Sequence, residues 1–276
     1  MSDQTTSRMP TGITSLDPVL NGGVVPGSLI LLLSDIGAGS AEFAYTSLIT
    51  HARMKKQSGE DLLLPEEIRY ISITRTKEDI IGEINRSFKK DLTEGIAERV
   101  IFRDLSAGYF ERSVVPANWY DNQGGVVARM QRKKAEHDSI LADLIATLDE
   151  GRPKSLIILD SLTDIAGLYN DPGRWNNLVA FLRGLQRVAK TWNTTIFLHL
   201  TRGILDSYRE LEICDCADAV ILFKWEEGSG QRRQRIMYFM KFRGVMPYLE
   251  ERDLVKFAVR IGASSGFDVE NIRMVI

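Results

Sequence analysis

Apolar residues along the chain gather in short blocks set off by turn-forming residues. The first block follows Gly22-Gly23 and Pro26-Gly27, where residues 29–33 (LILLL) run without a polar interruption. A short apolar run bounded by turn residues is the pattern of a buried strand. Similar runs recur at 68–73 (IRYISI), 99–102 (RVIF), 155–159 (SLIIL) and 194–198 (TTIFL). Helical periodicity lies between them. After Asp171-Pro172-Gly173, the residues Leu178, Phe181, Leu182, Leu185, Val188, Ala189 and Trp192 recur at steps of three and four. That spacing makes one apolar helical face, with Arg183, Gln186, Arg187 and Lys190 largely opposite. A second helix is expected over about 126–149, after Gly124-Gly125. Strands alternating with helices predict an α/β fold with a mostly parallel central sheet flanked by helices. The rhythm changes after residue 217, where DAVILFKW, RIMYFMKF, LVKFAVRI and FDVENIRMVI follow closely, parted by GSG and GASSG. These read as antiparallel strands. The expected organisation is a disordered tail over 1–9 and a single domain over 10–276, with a C-terminal β extension from about 218.

Composition narrows the function classes. The chain of 276 residues is 44% hydrophobic and 26% charged, enough to bury a full core without disulfide or metal staples. Lys and Arg number 35 against 37 for Asp and Glu, a balance that disfavours a nucleic-acid backbone as main partner. Cys214 and Cys216 are the two cysteines, and with His51, His137 and His199 they form no zinc spacing. No apolar run approaches the ~20 residues of a membrane span. A cytoplasmic setting is expected.

Ligands of parallel α/β sheets bind beyond the carboxyl ends of the strands, so the connection after the first strand is the place for chemistry. It reads Ser34-Asp35-Ile36-Gly37-Ala38-Gly39-Ser40-Ala41. Set against the phosphate-loop template G-x-x-x-x-G-K-[ST], Gly37 and Gly39 allow backbone N–H groups to converge on a phosphate. Ser34 replaces the first glycine, Ser40 stands at the lysine position, and Ala41 at that of the magnesium-binding hydroxyl. Each lost charge-assisted contact costs about 1.5–3 kcal/mol, so two weaken binding by roughly two to four orders of magnitude. The run 156–160 (LIILD) is an apolar strand ending in Asp160, the form of a Walker-B strand whose carboxylate helps hold Mg²⁺.

With these motifs in place, the chain resembles the KaiC branch of the RecA superfamily, archaeal KaiC-like proteins in particular. TGITSLDPVLNGGVVPGSLILL resembles the entry to that core domain, LIILDSLTD its Walker-B strand, and CDCADAVILF with RRQRIMYFMKFRG its late strands and K-x-R-G element. The likeness spans roughly residues 10–262. It implies a RecA-like fold, a P-loop nucleotide site and assembly into oligomers. Active members place a pair of glutamates after the second strand; the matching positions here are Thr74 and Arg75. The resemblance therefore implies a pseudo-ATPase with a degenerate Walker A loop. Its vestigial nucleotide site would comprise Gly37, Gly39, Ser40, Ala41 and Asp160, with ATP weakly held and Mg²⁺ on Asp160 only if nucleotide binds. In ring-forming relatives the strand carrying K-x-R-G reaches a neighbour's triphosphate, so Lys241 and Arg243 become trans-acting basic fingers; the plain alternative is a solvated strand face.

Other residues carry weaker signals. His199 closes the strand TTIFLH and is expected to be a hydrogen-bonded structural histidine. Cys214 and Cys216 read as small buried hydrophobes. Arg129, Arg132, Lys133 and Lys134, and likewise Arg232, Arg233 and Arg235, form basic clusters that could meet phosphates or an acidic partner; neighbouring acids make solvated faces the default. The segment 104–125 is long for a connection and carries Tyr109, Phe110, Trp119 and Tyr120, aromatics able to anchor a partner, cover the sheet's end or pack on their own domain. Three functions follow: a regulatory, signalling or scaffolding subunit that assembles with itself or with KaiC-like or RecA-like relatives; an ATP-binding ATPase with a non-standard P-loop; or a nucleic-acid-binding RecA-like module.

Overall fold

A computed structural model describes residues 8–54, 63–111, 113–120, 140–227 and 233–271. Nine strands make one sheet in the order β3-β2-β4-β5-β1-β6-β7-β8-β9. β1 (Leu29–Ser34), β2 (Ile68–Ser72), β3 (Ile101–Asp104), β4 (Leu156–Asp160), β5 (Thr195–Thr201) and β6 (Ala219–Glu227) run parallel. β7 (Arg233–Phe242), β8 (Lys256–Gly262) and β9 (Gly266–Asn271) continue the sheet antiparallel. The expected α/β architecture, with its late antiparallel strands, is the one observed.

Each central strand is buried on both faces, which is why the sequence shows continuous apolar runs there rather than alternation. Ile30 and Leu32 point into one core with α1 (Ser40–Arg53), whereas Leu29, Leu31 and Leu33 point into the other. On the first face Phe43 of α1 meets Phe197, Phe223 and Phe267 edge-on at 5.8, 5.5 and 5.3 Å. This face also holds α2 (Lys77–Ser87), whose start is fixed by a reciprocal Thr76–Asp79 capping box. The short helices α3 (Lys90–Thr93) and α4 (Ile96–Arg99) follow. The second face carries α6 (Ile140–Asp149), α7 (Leu162–Leu168), α8 (Pro172–Trp192) and α9 (Ser207–Cys216). α8 opens with an Asp171 cap and Pro172 in its first turn, and closes on Asn193 in the left-handed region. α5 (Ser106–Glu111) precedes α6, and α10 (Met246–Glu251) lies between β7 and β8.

Met9 is buried and bridges Val24, so the folded part includes at least that residue of the expected tail; residues 1–7 lie outside the described residues. The helix expected over 126–149 is described only as α6. Arg129, Arg132, Lys133, Lys134 and Arg232 fall outside the described residues.

Candidate functional site

The loop between β1 and α1 keeps the backbone form that its glycines permit. Gly37 and Gly39 adopt φ of 72° and 112°, the left-handed region that residues with a Cβ rarely enter. A Cβ on Gly39 would also stand 3.2 Å from both Ile261 and Phe267 of the C-terminal strands. α1 starts at Ser40 with Gly39 as its cap and no side-chain cap bond, so Ser40 and Ala41 lie in its first turn. The outer side of the loop is tied down. Trp225 donates through Nε1 to the Ile36 carbonyl at 3.1 Å, and Arg235 donates through Nε to the Gly37 carbonyl at 3.0 Å. Arg235 and Arg233 both pack on the Trp225 ring, at 4.5 and 5.0 Å from its centre. Asp35 pairs with Arg202 at 3.3 Å.

Across the sheet, Asp160 ends β4 on the face shared with α1. Its Oδ2 accepts a 2.6 Å bond from the Tyr70 hydroxyl and lies 3.5 Å from Nη1 of Arg75. The same Nη1 donates to the Tyr45 hydroxyl at 3.1 Å, and Nη2 pairs with Glu83 of α2. Three elements, α1, β4 and α2, thus meet through one guanidinium, and β2 joins them through the Tyr70–Asp160 bond. Burial pushes the Tyr45 hydroxyl up to about 12, and burial followed by the Asp160 charge raises Tyr70 well above its ordinary value. Burial alone would lower Arg75, but the Tyr45 hydroxyl and Glu83 hold it above the usual value, so it stays charged. His199 on β5 faces the same region. Burial is the main cause that lowers its pKa, with Asp160 opposing and Arg75 adding to the fall. Its Nε2 is buried without a hydrogen-bond partner among the described residues. The hydrogen-bonded structural histidine expected at this position has no such bond at Nε2 among the described residues.

Lys241 and Arg243 lie elsewhere. Lys241 pairs with Val220 and through it aligns with Leu31, so it lies toward the start of β1 and away from the loop. Its Nζ donates to the carbonyls of Cys214 and Asp215 at 3.1 and 2.9 Å, closing the C-terminus of α9. Arg243 approaches Asp215 and Asp218 at 3.4 and 3.7 Å. Cys214 and Cys216 are buried free thiols, and burial pushes Cys214 up to about 11. In the aromatic segment Tyr109 packs on the second core and edge-on against Phe110, and Phe110 meets Tyr120 at 5.7 Å. Trp119 stands 74% exposed.

The donor set fits a magnesium-bound triphosphate poorly. Ser40 brings no cation, Ala41 no hydroxyl, and Asp160 already faces Tyr70 and Arg75. Among the described residues no group of three His, Cys, Asp or Glu is placed to hold a metal ion. Sequence reasoning located the loop, Asp160 and Arg75 but missed Tyr45, Tyr70, Glu83, Trp225 and the loop contact of Arg235. The basic cluster at 232–235 was a signal for the last; nothing local marked the others.

Comparison with known proteins places this geometry in context. The family description "ATPase: KaiC" matches residues 9–253. The KaiC-like protein PH0186 of the hyperthermophilic archaeon Pyrococcus horikoshii OT3 superposes with a TM-score of 0.60, covering 96% of this chain and 99% of that one at 17% identity, a likeness of fold. The DNA repair protein RadA of two Mycobacterium tuberculosis strains is 40% identical over 77 residues, which is 28% of this chain and 15% of RadA. Among the described residues no helix is long and apolar enough to cross a membrane. A RecA-like sheet, a glycine loop between β1 and α1, Asp160 at the end of β4 and a family match across most of the sequence lead to one assignment: the chain belongs to the KaiC ATPase family.

Proposed function

We propose that this protein is a KaiC-family subunit that hydrolyses little or no ATP and acts by assembling, as a regulatory or scaffolding member of a homo- or hetero-oligomer. The observation that carries the reading is the opening of α1. Ser40 and Ala41 stand where a phosphate-binding cation and a metal-binding hydroxyl belong. The guanidinium nearest by contact, Arg235, engages the carbonyl side of Gly37 rather than the N–H side that would face a phosphate. Phosphoryl transfer depends on neutralising charge at the transferred oxygens, and nothing among the described residues of the loop supplies it.

A turnover assay on purified protein tests the reading. Phosphate release with Mg²⁺ and ATP is expected at background and unchanged in Asp160→Ala protein. Hydrolysis that vanishes in the Asp160→Ala variant would show a working site and overturn the proposal.

A further inference from the structure

We infer that Arg75 is an internal cation standing where a divalent metal would otherwise meet Asp160, and that it closes this carboxylate to Mg²⁺. The inference deepens the functional reading above and rests on it only for its biological meaning, since metal binding and hydrolysis are measured separately.

Three observations carry it. The first is connectivity. One guanidinium bridges two carboxylates from different elements, with Nη1 near Asp160 and Nη2 on Glu83, while Nη1 also reaches Tyr45. A planar fork with several fixed donors holds such a cluster where a flexible ammonium would not. The second is the occupation of one carboxylate oxygen. Oδ2 of Asp160 accepts a hydrogen bond from the Tyr70 hydroxyl at 2.6 Å and lies 3.5 Å from Nη1 of Arg75. A metal at that oxygen would need the hydroxyl to turn away and would then sit beside a fixed positive charge. Magnesium demands near-ideal octahedral oxygen ligation and gives up its waters reluctantly, so it tolerates such crowding badly. The third is the unpartnered Nε2 of His199, which is 8% exposed and lies within electrostatic reach of Asp160 and Arg75. A buried polar atom left without a partner is unusual in a folded protein and calls for a specific reason. Here the cluster balances its charge with a side chain, and that side chain brings nothing to His199.

Removing the guanidinium reverses this logic. Asp160 and Glu83 would lose the cation they share, and a divalent cation is a species that could replace it at Asp160. The site is thus closed by one residue and not by collapse of the fold.

Manganese supplies a paramagnetic probe with magnesium-like oxygen chemistry. The loss of the free Mn²⁺ resonance is followed as the whole protein is titrated, in the natural chain, in Arg75→Gln, and in Arg75→Gln combined with Asp160→Asn. The natural chain is expected to show no saturable site. Arg75→Gln should gain one, binding at least tenfold more tightly than any residual uptake, and Asp160→Asn should abolish that gain. Arg75→Met, apolar and of similar length, serves as a second test if circular dichroism shows that the Gln variant has not folded. Saturable Mn²⁺ binding by the natural chain that Asp160→Asn removes would overturn the inference, as would a folded Arg75→Gln or Arg75→Met protein with no new site. Either result leaves the hydrolysis assay to decide the functional reading independently.

Discussion

At the scale of single residues, the buried imidazoles set a dependence on pH. His51 is held between Ser47 and the Pro10 carbonyl, with ring nitrogens 2.8 and 3.0 Å from the two backbone oxygens, and burial lowers its pKa. Burial lowers His199 as well. A histidine depressed in the folded state is protonated first in the unfolded chain, near pH 6.5. Its contribution to stability is complete above that value and declines as pH falls toward the folded pKa. The urea midpoint is therefore expected to fall between pH 7.5 and 5.5, and the slope should flatten in a His51→Gln, His199→Gln double variant. A midpoint that is flat in the natural chain would refute the argument. The residues around Asp160 show where sequence reading stops. Arg75 was legible because it stands at a motif position, whereas Tyr45 and Tyr70 belong to α1 and β2, and they reach Arg75 and Asp160 respectively only once the fold puts them on one face.

At the scale of elements, a buried arginine joins β2 to the end of α6. Arg69 on β2 is 3% exposed, donates to the carbonyls of Thr147 and Glu150 at 2.8 and 2.9 Å, and pairs with Glu67. It closes the C-terminus of α6 and fixes that helix against β2. Replacing it by leucine leaves the buried Thr147 carbonyl, the part-buried Glu150 carbonyl and the Glu67 carboxylate without their cation, a change that costs about 3–5 kcal/mol when one partner of a buried pair is lost. Urea unfolding of Arg69→Leu should show a loss in this range; a loss below about 1 kcal/mol, the scale of a surface pair, would place the interaction in solvent. Elements themselves were read well where strands are buried on both faces, because continuous apolar runs leave little ambiguity. The run at 99–102 was shifted: Ile96–Arg99 takes a helical turn and the strand is Ile101–Asp104. Its polar end, Arg103 and Asp104, belongs to a short edge strand whose exposed residues carry no apolar signature.

At the scale of the whole molecule, the loop and the Lys241–Arg243 pair sit at different levels of the sheet, so one chain cannot bring its own pair to its own loop without rebuilding β7. A head-to-tail contact between chains is the arrangement that would join them, and such contacts close into rings when the rotation allows. If this pair acts in trans, adding the protein to a catalytically competent family member should raise that partner's turnover, and Lys241→Ala with Arg243→Ala should abolish the increase. The mutations also remove a cap from α9, so folding of the double variant must be verified beside the assay; stimulation that survives them assigns the pair to capping alone.

The C-terminal strands also determine when the first core can close during synthesis. Phe267 of β9 packs edge-on against Phe43 and Phe223, its backbone N–H donates to Thr46 of α1 at 2.8 Å, and Gly266 leaves room for Thr46 where any Cβ would stand 2.7 Å from the hydroxyl. The ribosome delivers α1 more than two hundred residues before β9. Until that last strand emerges, Phe43 and Phe223 lack one wall of their cavity, and the nascent chain presents an aromatic cluster that chaperones can hold. The glycine loop at the head of α1 therefore acquires its final shape only once β8 and β9 pack against Gly39.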